Sequence, residues 1–448
     1  MFDPATLLGA RAPRYTSYPT APNFHAGIDE RVYRRWLEAL AAQSPISLYV
    51  HVPFCDTLCW FCGCHTTVVN RYTPVRSYCD LLAEEIEMVA AALGRKAAVG
   101  QIHWGGGSPS MLSPDDVVRL AGAIRANFRV LPEAEFAIEI DPRGFGAEHA
   151  DALAAAGLTR ASIGVQDCDP LVQRAINRVQ SMETTRAAVD LLRARAVSSL
   201  NIDLIYGLPH QSVAGLDRTI DFALSLDPDR LAVFGYAHVP HFKKHQKLIH
   251  EEALPGPKER FEQAMAAHAR ISKHSYVPVG IDHFAKPSDA LAIALRQGRL
   301  RRNFQGYTTD AAPALIGIGA SAIGAMPQGY VQNVPEVPAY RAALAAGRLP
   351  VARGVTLSDE DRLRRCVIER LMCNLEADLG AAAAAHGASS DVFAPALAGL
   401  APLIAAGIVD TDGRKLAVRP QWRALTRVVC AAFDAYLAPG AARHALAV

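Results

Sequence analysis

Residues 47–64 read SLYVHVPFCDTLCWFCGC, an apolar β-rich run that ends in four cysteines within ten residues: Cys55, Cys59, Cys62 and Cys64. The chain has 448 residues and nine cysteines, so nearly half of its thiols fall in this one stretch. Structural zinc usually draws on two cysteine pairs a dozen or more residues apart, so that the chain can wrap a tetrahedron. Four cysteines in ten residues are too crowded for that geometry. An iron–sulfur cubane is wider and presents separate irons to successive thiolates of one loop. The spacing Cys-x3-Cys-x2-Cys at the end of a strand therefore points to a cluster rather than a single ion.

Outward from this loop the same texture recurs. Apolar β-rich runs lie at 47–54 (SLYVHVPF), 101–107 (QIHWGGG), 136–142 (FAIEIDP), 160–166 (RASIGVQ), 200–209 (LNIDLIYGLP) and 230–240 (RLAVFGYAHVP). Between them lie helix-spaced segments such as PVRSYCDLLAEEIEMVAAAL (74–93) and SPDDVVRLAGAIRANF (113–128). The second opens on Ser113, Pro114 and an acidic first turn, which are helix start signals. Strands alternating with helices predict a parallel α/β sheet built from βαβ units. Six units fit between about Ser47 and His274, fewer than the eight of a closed barrel. The expected fold is α/β, an open or partial (β/α)6 barrel with its ligands at the carboxyl ends of the strands.

From about Thr356 the texture changes. SDEDRLRRCVIERLMCN (358–374) reads as a capped amphipathic helix, and GIVDTDGRKLAVRP (407–420) as a hairpin turning at Asp412-Gly413. A mainly helical, winged-helix-like C-terminal domain is expected. It carries no basic, groove-entering helix, so packing or covering the substrate is its expected role. The expected division is an N-terminal segment covering the active site (1–44), a catalytic domain (45–325) and the C-terminal domain (326–448).

Hydrophobic residues make up 50% of the chain and charged residues 20%, ordinary for a soluble globular protein. A formal charge of +2 supplies no general field for nucleic acid or anionic lipid. The N-terminus lacks the basic start and apolar block of a secretory signal. No stretch approaches the roughly 20 apolar residues of a membrane span. Clustered, odd-numbered cysteines do not make a disulfide framework. A cytoplasmic monomer with reduced thiols, and with no nucleic-acid or membrane partner, is expected.

Individual residues carry further signals. Gly105, Gly106 and Gly107 follow a strand, where backbone can approach a ligand with no Cβ in the way. Glu139 and Asp141 alternate with Ile138 and Ile140, which places both carboxylates on one strand face, open to a ligand or to an ion pair with Arg143 or Arg160. Asp203 sits inside an otherwise apolar strand and needs a partner, for which Arg178 is a candidate. Gln166 and Asp167 end the fourth run. His51 lies near the cysteine loop, as a core histidine or as a donor to cluster sulfur. Cys79, Cys168, Cys366, Cys373 and Cys430 have no ligand spacing and read as buried small side chains.

The loop Cys55-x3-Cys59-x2-Cys62, with Phe61 before the last cysteine, resembles the radical S-adenosylmethionine (SAM) superfamily. The resemblance extends through YTSYPTAPNF (15–24), HWGGGSPSML (103–112), EIDPR (139–143), GVQDCDPLVQRAINRVQ (164–180), NIDLIYGLP (201–209), FGYAHVP (234–240) and RRNFQGYTT (301–309). In that order these segments are similar to the oxygen-independent coproporphyrinogen III oxidases.

The resemblance implies oxidative decarboxylation of two propionates of coproporphyrinogen III to vinyls, giving protoporphyrinogen IX. It implies a [4Fe–4S] cluster on Cys55, Cys59 and Cys62, two SAM molecules, and an electron donor that the sequence does not identify. One SAM is implied at Tyr49, Phe61, Gly106, Glu139, Arg178 and Asp203, and the second at Gly107, Ser108, Gln166, Ala237 and Ile323. Where the family often has Thr and Asn, this chain has Ser108 and Gly235, so a hydroxyl is kept and an amide lost. Cys64 is expected to shape the reactive pocket without binding iron, and His51 to tune the cluster. Four substrate propionates call for cations, and Arg301, Arg302, Lys243 and Lys244 are available. The alternatives are a haem chaperone, a haem-modifying radical-SAM methyltransferase of the same superfamily, and an electron-transfer protein. The first two typically lack the Cys62-Gly63-Cys64 ending and the YTSYPTA segment, both present here.

Overall fold

The computed structural model describes residues 5–41, 43–437 and 444–447. Residues 1–4 and 42 of the expected N-terminal segment, and 438–443 and 448 of the expected C-terminal domain, lie outside the described residues.

All six β-rich runs form strands: β1 (Ile46–Val52), β2 (Ala98–Gly106), β3 (Arg129–Ile140), β4 (Arg160–Gln166), β5 (Ser199–Tyr206) and β6 (Arg230–Gly235). They pair in parallel, each with the next. Each is followed by a helix: α1 (Thr73–Leu93), α2 (Pro114–Asn127), α3 (Ala147–Ala155), α4 (Met182–Arg193), α5 (Val213–Ser225) and α6 (Pro257–Lys273). The strands read as near-continuous apolar runs because helices cover one face while the other turns inward. Ile46, Leu48, Val50 and Val52 of β1 are all buried, and fully buried Trp104 of β2 meets Phe136 of β3 edge-on at 4.9 Å. Caps fix where helices begin. Ser113, Ser181 and Ser212 accept the backbone N–H of Asp116, Thr184 and Gly215, each contributing roughly 1 kcal/mol.

The sheet is larger than six strands. Six further strands join it: β7 (Val277–Val279), β8 (His283–Ala285), β9 (Ala314–Ile318), β10 (Ile323–Met326), β11 (Gly329–Asn333) and β12 (Val351–Thr356). The order is β12-β11-β10-β9-β1-β2-β3-β4-β5-β6-β8-β7. β9 runs parallel to β1, a seventh parallel strand, whereas β10–β12 on one flank and β7–β8 on the other are antiparallel. The partial barrel therefore stands with extended edges. The boundary expected at 325/326 falls inside β10, and the sheet runs on to Thr356, where the texture of the sequence changes.

Beyond Thr356, helix α7 (Asp359–Asn374) opens on a reciprocal capping box between Ser358 and Asp361. Strands 409–411 and 415–418 form the expected hairpin, with Gly413 at φ 86° in its turn, and 376–378 adds a third strand. Leu363, Val367, Leu371, Phe393 and Phe433 make the core of this unit. Tyr15 and Tyr18 of the N-terminal segment pack into it, and Trp422 stacks on Phe261 of α6. Among the described residues no helix is long and apolar enough to cross a membrane.

Candidate active site

The cysteine loop leaves the carboxyl end of β1 and is held on several sides. Phe54–Cys55 pairs with Thr67–Val68, closing the loop on itself. Its outward carbonyls are each taken by a side chain from elsewhere. Asn177 donates to Leu58 O (2.9 Å), Gln246 to Phe61 O (3.0 Å), His245 to Cys62 O (2.8 Å) and Lys243 to Cys64 O (2.8 Å). Lys243 is thus committed to the loop and is not the free cation expected for substrate.

Donors also reach the sulfurs. Thr66 Oγ1 lies 3.1 Å from Cys55 Sγ, and Arg178 and Arg143 approach Cys59 Sγ at 3.5 and 3.7 Å. Hydrogen bonding from Cys64 lowers the Cys62 thiol, and the same contact raises Cys64. Burial pushes Cys55 up to about 12. Cys64 is exposed. Of the cysteines without ligand spacing, Cys79, Cys373 and Cys430 are buried, whereas Cys168 and Cys366 are only half-buried.

Opposite the loop, the end of β2 passes so close that only glycine fits. A Cβ on Gly106, whose φ is +120°, would lie 2.7 Å from the His51 ring, and one on Gly107 would lie 2.6 Å from Phe54 O. Glu139 accepts the Gly106 N–H at 3.1 Å and the His103 Nε2 hydrogen at 3.4 Å. Asp141 accepts from Arg143 (2.7 Å) and Arg178 (3.0 Å). Burial alone would raise both carboxyls, but these donors outweigh it and hold both below the ordinary carboxylate range. Arg160 pairs instead with Glu135.

Two expectations are corrected here. Arg178 is not the partner of Asp203, which accepts from Ser162 and Asn201, each at 2.7 Å, and is raised by burial. His51 does not reach sulfur. Its Nδ1 meets Tyr49 OH at 2.9 Å and its Nε2 meets His65 O at 3.0 Å, and burial lowers it to about 4, so the ring is neutral.

A cavity of ≈ 280 Å³ collects Cys55, Cys59, Cys62, Cys64, Phe61, Gly106, Gly107, Ser108, Glu139, Gln166, Arg178 and Asp203. Gln166 ends β4 in the left-handed region (φ 69°), a backbone turn at the cavity wall. Tyr49, Ala237 and Ile323 are not brought to this lining. Tyr49 stacks on His103, Ala237 O accepts from Gln246, and Ile323 packs near Phe24 and Tyr330. At Gly235 a Cβ would lie 2.8 Å from Tyr206 OH, so that ring occupies the space a side chain would need.

A second cavity, ≈ 390 Å³, is lined by Tyr15–Tyr18, Arg301, Arg302 and Arg365. The Arg302 guanidinium lies over the Tyr307 ring at 4.5 Å, and its Nε and Nη1 have no hydrogen-bond partner among the described residues.

Sequence reasoning missed several parts of this arrangement: Arg143 and Thr66 at the sulfurs, Ser162 under Asp203, and Asn177, His245 and Gln246 on the loop carbonyls. No local signal marks them, since each acts on a residue more than ten positions away.

The donor set fits a cluster and a nucleotide-bearing cofactor. Among the described residues no group of three His, Cys, Asp or Glu side chains is arranged to hold a single metal ion. Gly106, Gly107 and Arg178, whose buried Nε has no hydrogen-bond partner among the described residues, line the same cavity.

Residues 49–223 match the Radical SAM superfamily. The oxygen-independent coproporphyrinogen III oxidase of Bradyrhizobium diazoefficiens is 51% identical over 438 residues, 98% of this chain and 97% of its own. The chain belongs to the oxygen-independent coproporphyrinogen III oxidase family. The Salmonella typhimurium member is 40% identical over 428 residues, 95% of this chain and 93% of its own. A solved structure of coproporphyrinogen III oxidase from Escherichia coli, described as a radical SAM enzyme, superposes with a TM-score of 0.91 at 39% identity. That match covers 98% of this chain and 99% of the other.

Proposed function

We propose that the protein decarboxylates two propionate side chains of coproporphyrinogen III to vinyls without oxygen, giving protoporphyrinogen IX for haem. It is a radical-SAM oxidoreductase whose cofactors are a [4Fe–4S] cluster and SAM. The observation that carries the reading is the full-length likeness to this family, together with the four-cysteine loop facing the glycine cradle across one cavity.

Cys55, Cys59 and Cys62 would hold the cluster, leaving one iron for SAM. A cluster held there would supply the one-electron chemistry that cleaves SAM and starts oxidation of the propionates. Arg143, Arg178 and Thr66 stabilise thiolate charge by donating to Cys59 and Cys55 sulfur. Gly106 and Gly107 let backbone approach the methionyl end of SAM, and the ionised Glu139 offers an acceptor to its ammonium or ribose hydroxyls. Neutral His51 fixes Tyr49 and the loop through His65 rather than acting on sulfur. Gly107, Ser108 and Gln166 line the same cavity and are the nearest part of the set proposed for a second SAM. Arg301 and Arg302 at the second cavity are the available cations for substrate carboxylates. A soluble cytoplasmic monomer served by an electron donor, with no nucleic-acid or membrane partner, completes the reading.

The test is anaerobic incubation of the reconstituted protein with coproporphyrinogen III, SAM and dithionite. Protoporphyrinogen IX and 5'-deoxyadenosine are expected. SAM cleavage with no change in the porphyrinogen would contradict the substrate, and haem binding without turnover would favour a chaperone.

A further inference from the structure

Two short segments grip the outside of the cysteine loop. Residues 170–182 supply Asn177 to Leu58 O, and residues 239–250 supply Lys243, His245 and Gln246 to the carbonyls of Cys64, Cys62 and Phe61. Their outer faces are unusual for a soluble surface. Of the eight large hydrophobic side chains exposed among the described residues, five lie on these segments: Leu171, Val179, Met182, Phe242 and Leu248. Phe242 is 66% exposed and Val179 67%. Single exposed apolar residues need no explanation, but their concentration beside one loop marks an interaction surface. The same segments carry Lys243, Lys244, Lys247, Arg174 and Arg178, and Asp169, Glu183, Glu251 and Glu252 border them. Lys244, Lys247 and Arg174 are exposed.

The geometry points to this surface as the docking site of the electron donor, a small acidic one-electron carrier protein. The inference rests on the radical-SAM reading, which requires an electron from outside to reach the three thiols. Electron transfer falls off steeply with distance, so a donor must sit against the shell that encloses the cluster. Here the side chains of the two segments bond directly to the loop that carries the thiols. The exposed apolar side chains supply contact area, and the exposed Lys244, Lys247 and Arg174 steer an acidic partner. One electron leaves the donor and reduces the cluster, and no group is transferred.

The test uses reconstituted full-length protein and an oxidised acidic flavodoxin as the probe. Affinity is measured by titration calorimetry at about 50 and about 300 mM salt, the second giving much shorter screening. The double variant Phe242→Asp/Lys247→Glu is expected to weaken binding roughly tenfold or more, and the higher salt to weaken the wild type. Val118→Asp, an exposed apolar site on α2 away from the loop, is expected to bind as wild type. SAM cleavage driven by dithionite, which needs no docking, is expected to remain within about twofold of wild type in the double variant, showing the site intact. Unchanged flavodoxin affinity in the folded double variant would overturn the proposal. So would self-association that the double substitution abolishes while flavodoxin binding persists, since the surface would then belong to a second copy. Absence of dithionite-driven cleavage in the wild type would instead remove the radical-SAM reading, and the docking proposal with it.

Discussion

Glu85 and Glu139 are the same residue type in two different parts of the molecule, and their surroundings separate structure from chemistry. Glu85, on α1 at the seam with β9, is 1% exposed. Its oxygens are used up inside the protein by Gly319 N–H, Asn333 Nδ2 and Tyr340 OH. Burial is still the larger effect and raises it to about 7. Glu139, on the cavity wall, has its acid form disfavoured by His103 and the Gly106 N–H and keeps an open side toward the cysteine loop. A closed network ties elements together, whereas an ionised carboxylate with room before it is available to a ligand. The seam with β9 and the cavity should therefore respond to mutation in opposite ways.

The largest effect is expected on the cavity side. Cys55→Ser, Cys59→Ser or Cys62→Ser should abolish stable cluster assembly and SAM cleavage while the fold persists, as read by iron content, visible absorbance and circular dichroism. Full iron content with normal cleavage in any one of them would sink the assignment of these thiols.

Cys64→Ala comes next. Three thiolates already account for three irons, so this variant should keep the cluster spectrum and iron content but lose most decarboxylation. Iron loss as severe as in Cys59→Ser would make Cys64 a ligand, and unchanged turnover would make it filler.

On the seam the readout moves from chemistry to stability. Glu85→Ala orphans three buried donors, each worth about 1–3 kcal/mol, so a loss of roughly 3 kcal/mol or more is expected in denaturant unfolding. Glu139→Gln should change stability by less than about 1 kcal/mol and instead weaken SAM binding. Equal destabilisation by the two substitutions would erase the distinction drawn between these regions.

The smallest effect is a pH slope. The folded state of Glu85 holds its proton to about 7, against an ordinary value of 4.5. Between those values the unfolded chain binds fewer protons than the folded one, so this group's contribution is fully present below 4.5 and is lost as pH rises toward 7. Glu85→Gln should flatten that part of the stability profile. Glu139 and Asp141, held below their ordinary values, act in the opposite sense, and their contribution is lost on acidification.

What could be read from the sequence was local. The six strand runs, the Ser113 and Ser358 caps, the turn at Asp412-Gly413 and the cysteine spacing each depend on residues within a few positions of one another. Glu139, Asp141 and the three glycines were legible because a period of two and a missing Cβ are local facts as well. Strand β9 was not, because the short run ALIGI (314–318) becomes sheet only by pairing with β1, more than 250 residues earlier, and β10–β12 join the sheet only by pairing onward from β9. Asp203 drew the wrong partner for the same reason. From sequence any buried guanidinium could serve it, yet in the fold Asp141 stands nearer to Arg178 and Ser162 stands beneath Asp203. Lys243 read as a free cation because nothing in its own neighbourhood reveals that the Cys64 carbonyl lies against it.

The most direct test of the proposed reaction is its stoichiometry under anaerobic conditions with coproporphyrinogen III, SAM and dithionite. For each protoporphyrinogen IX formed, two SAM should be consumed irreversibly, with two methionine, two 5'-deoxyadenosine and two CO2 released. SAM regenerated during turnover, or a methyl group transferred to the product with no CO2, would contradict the account.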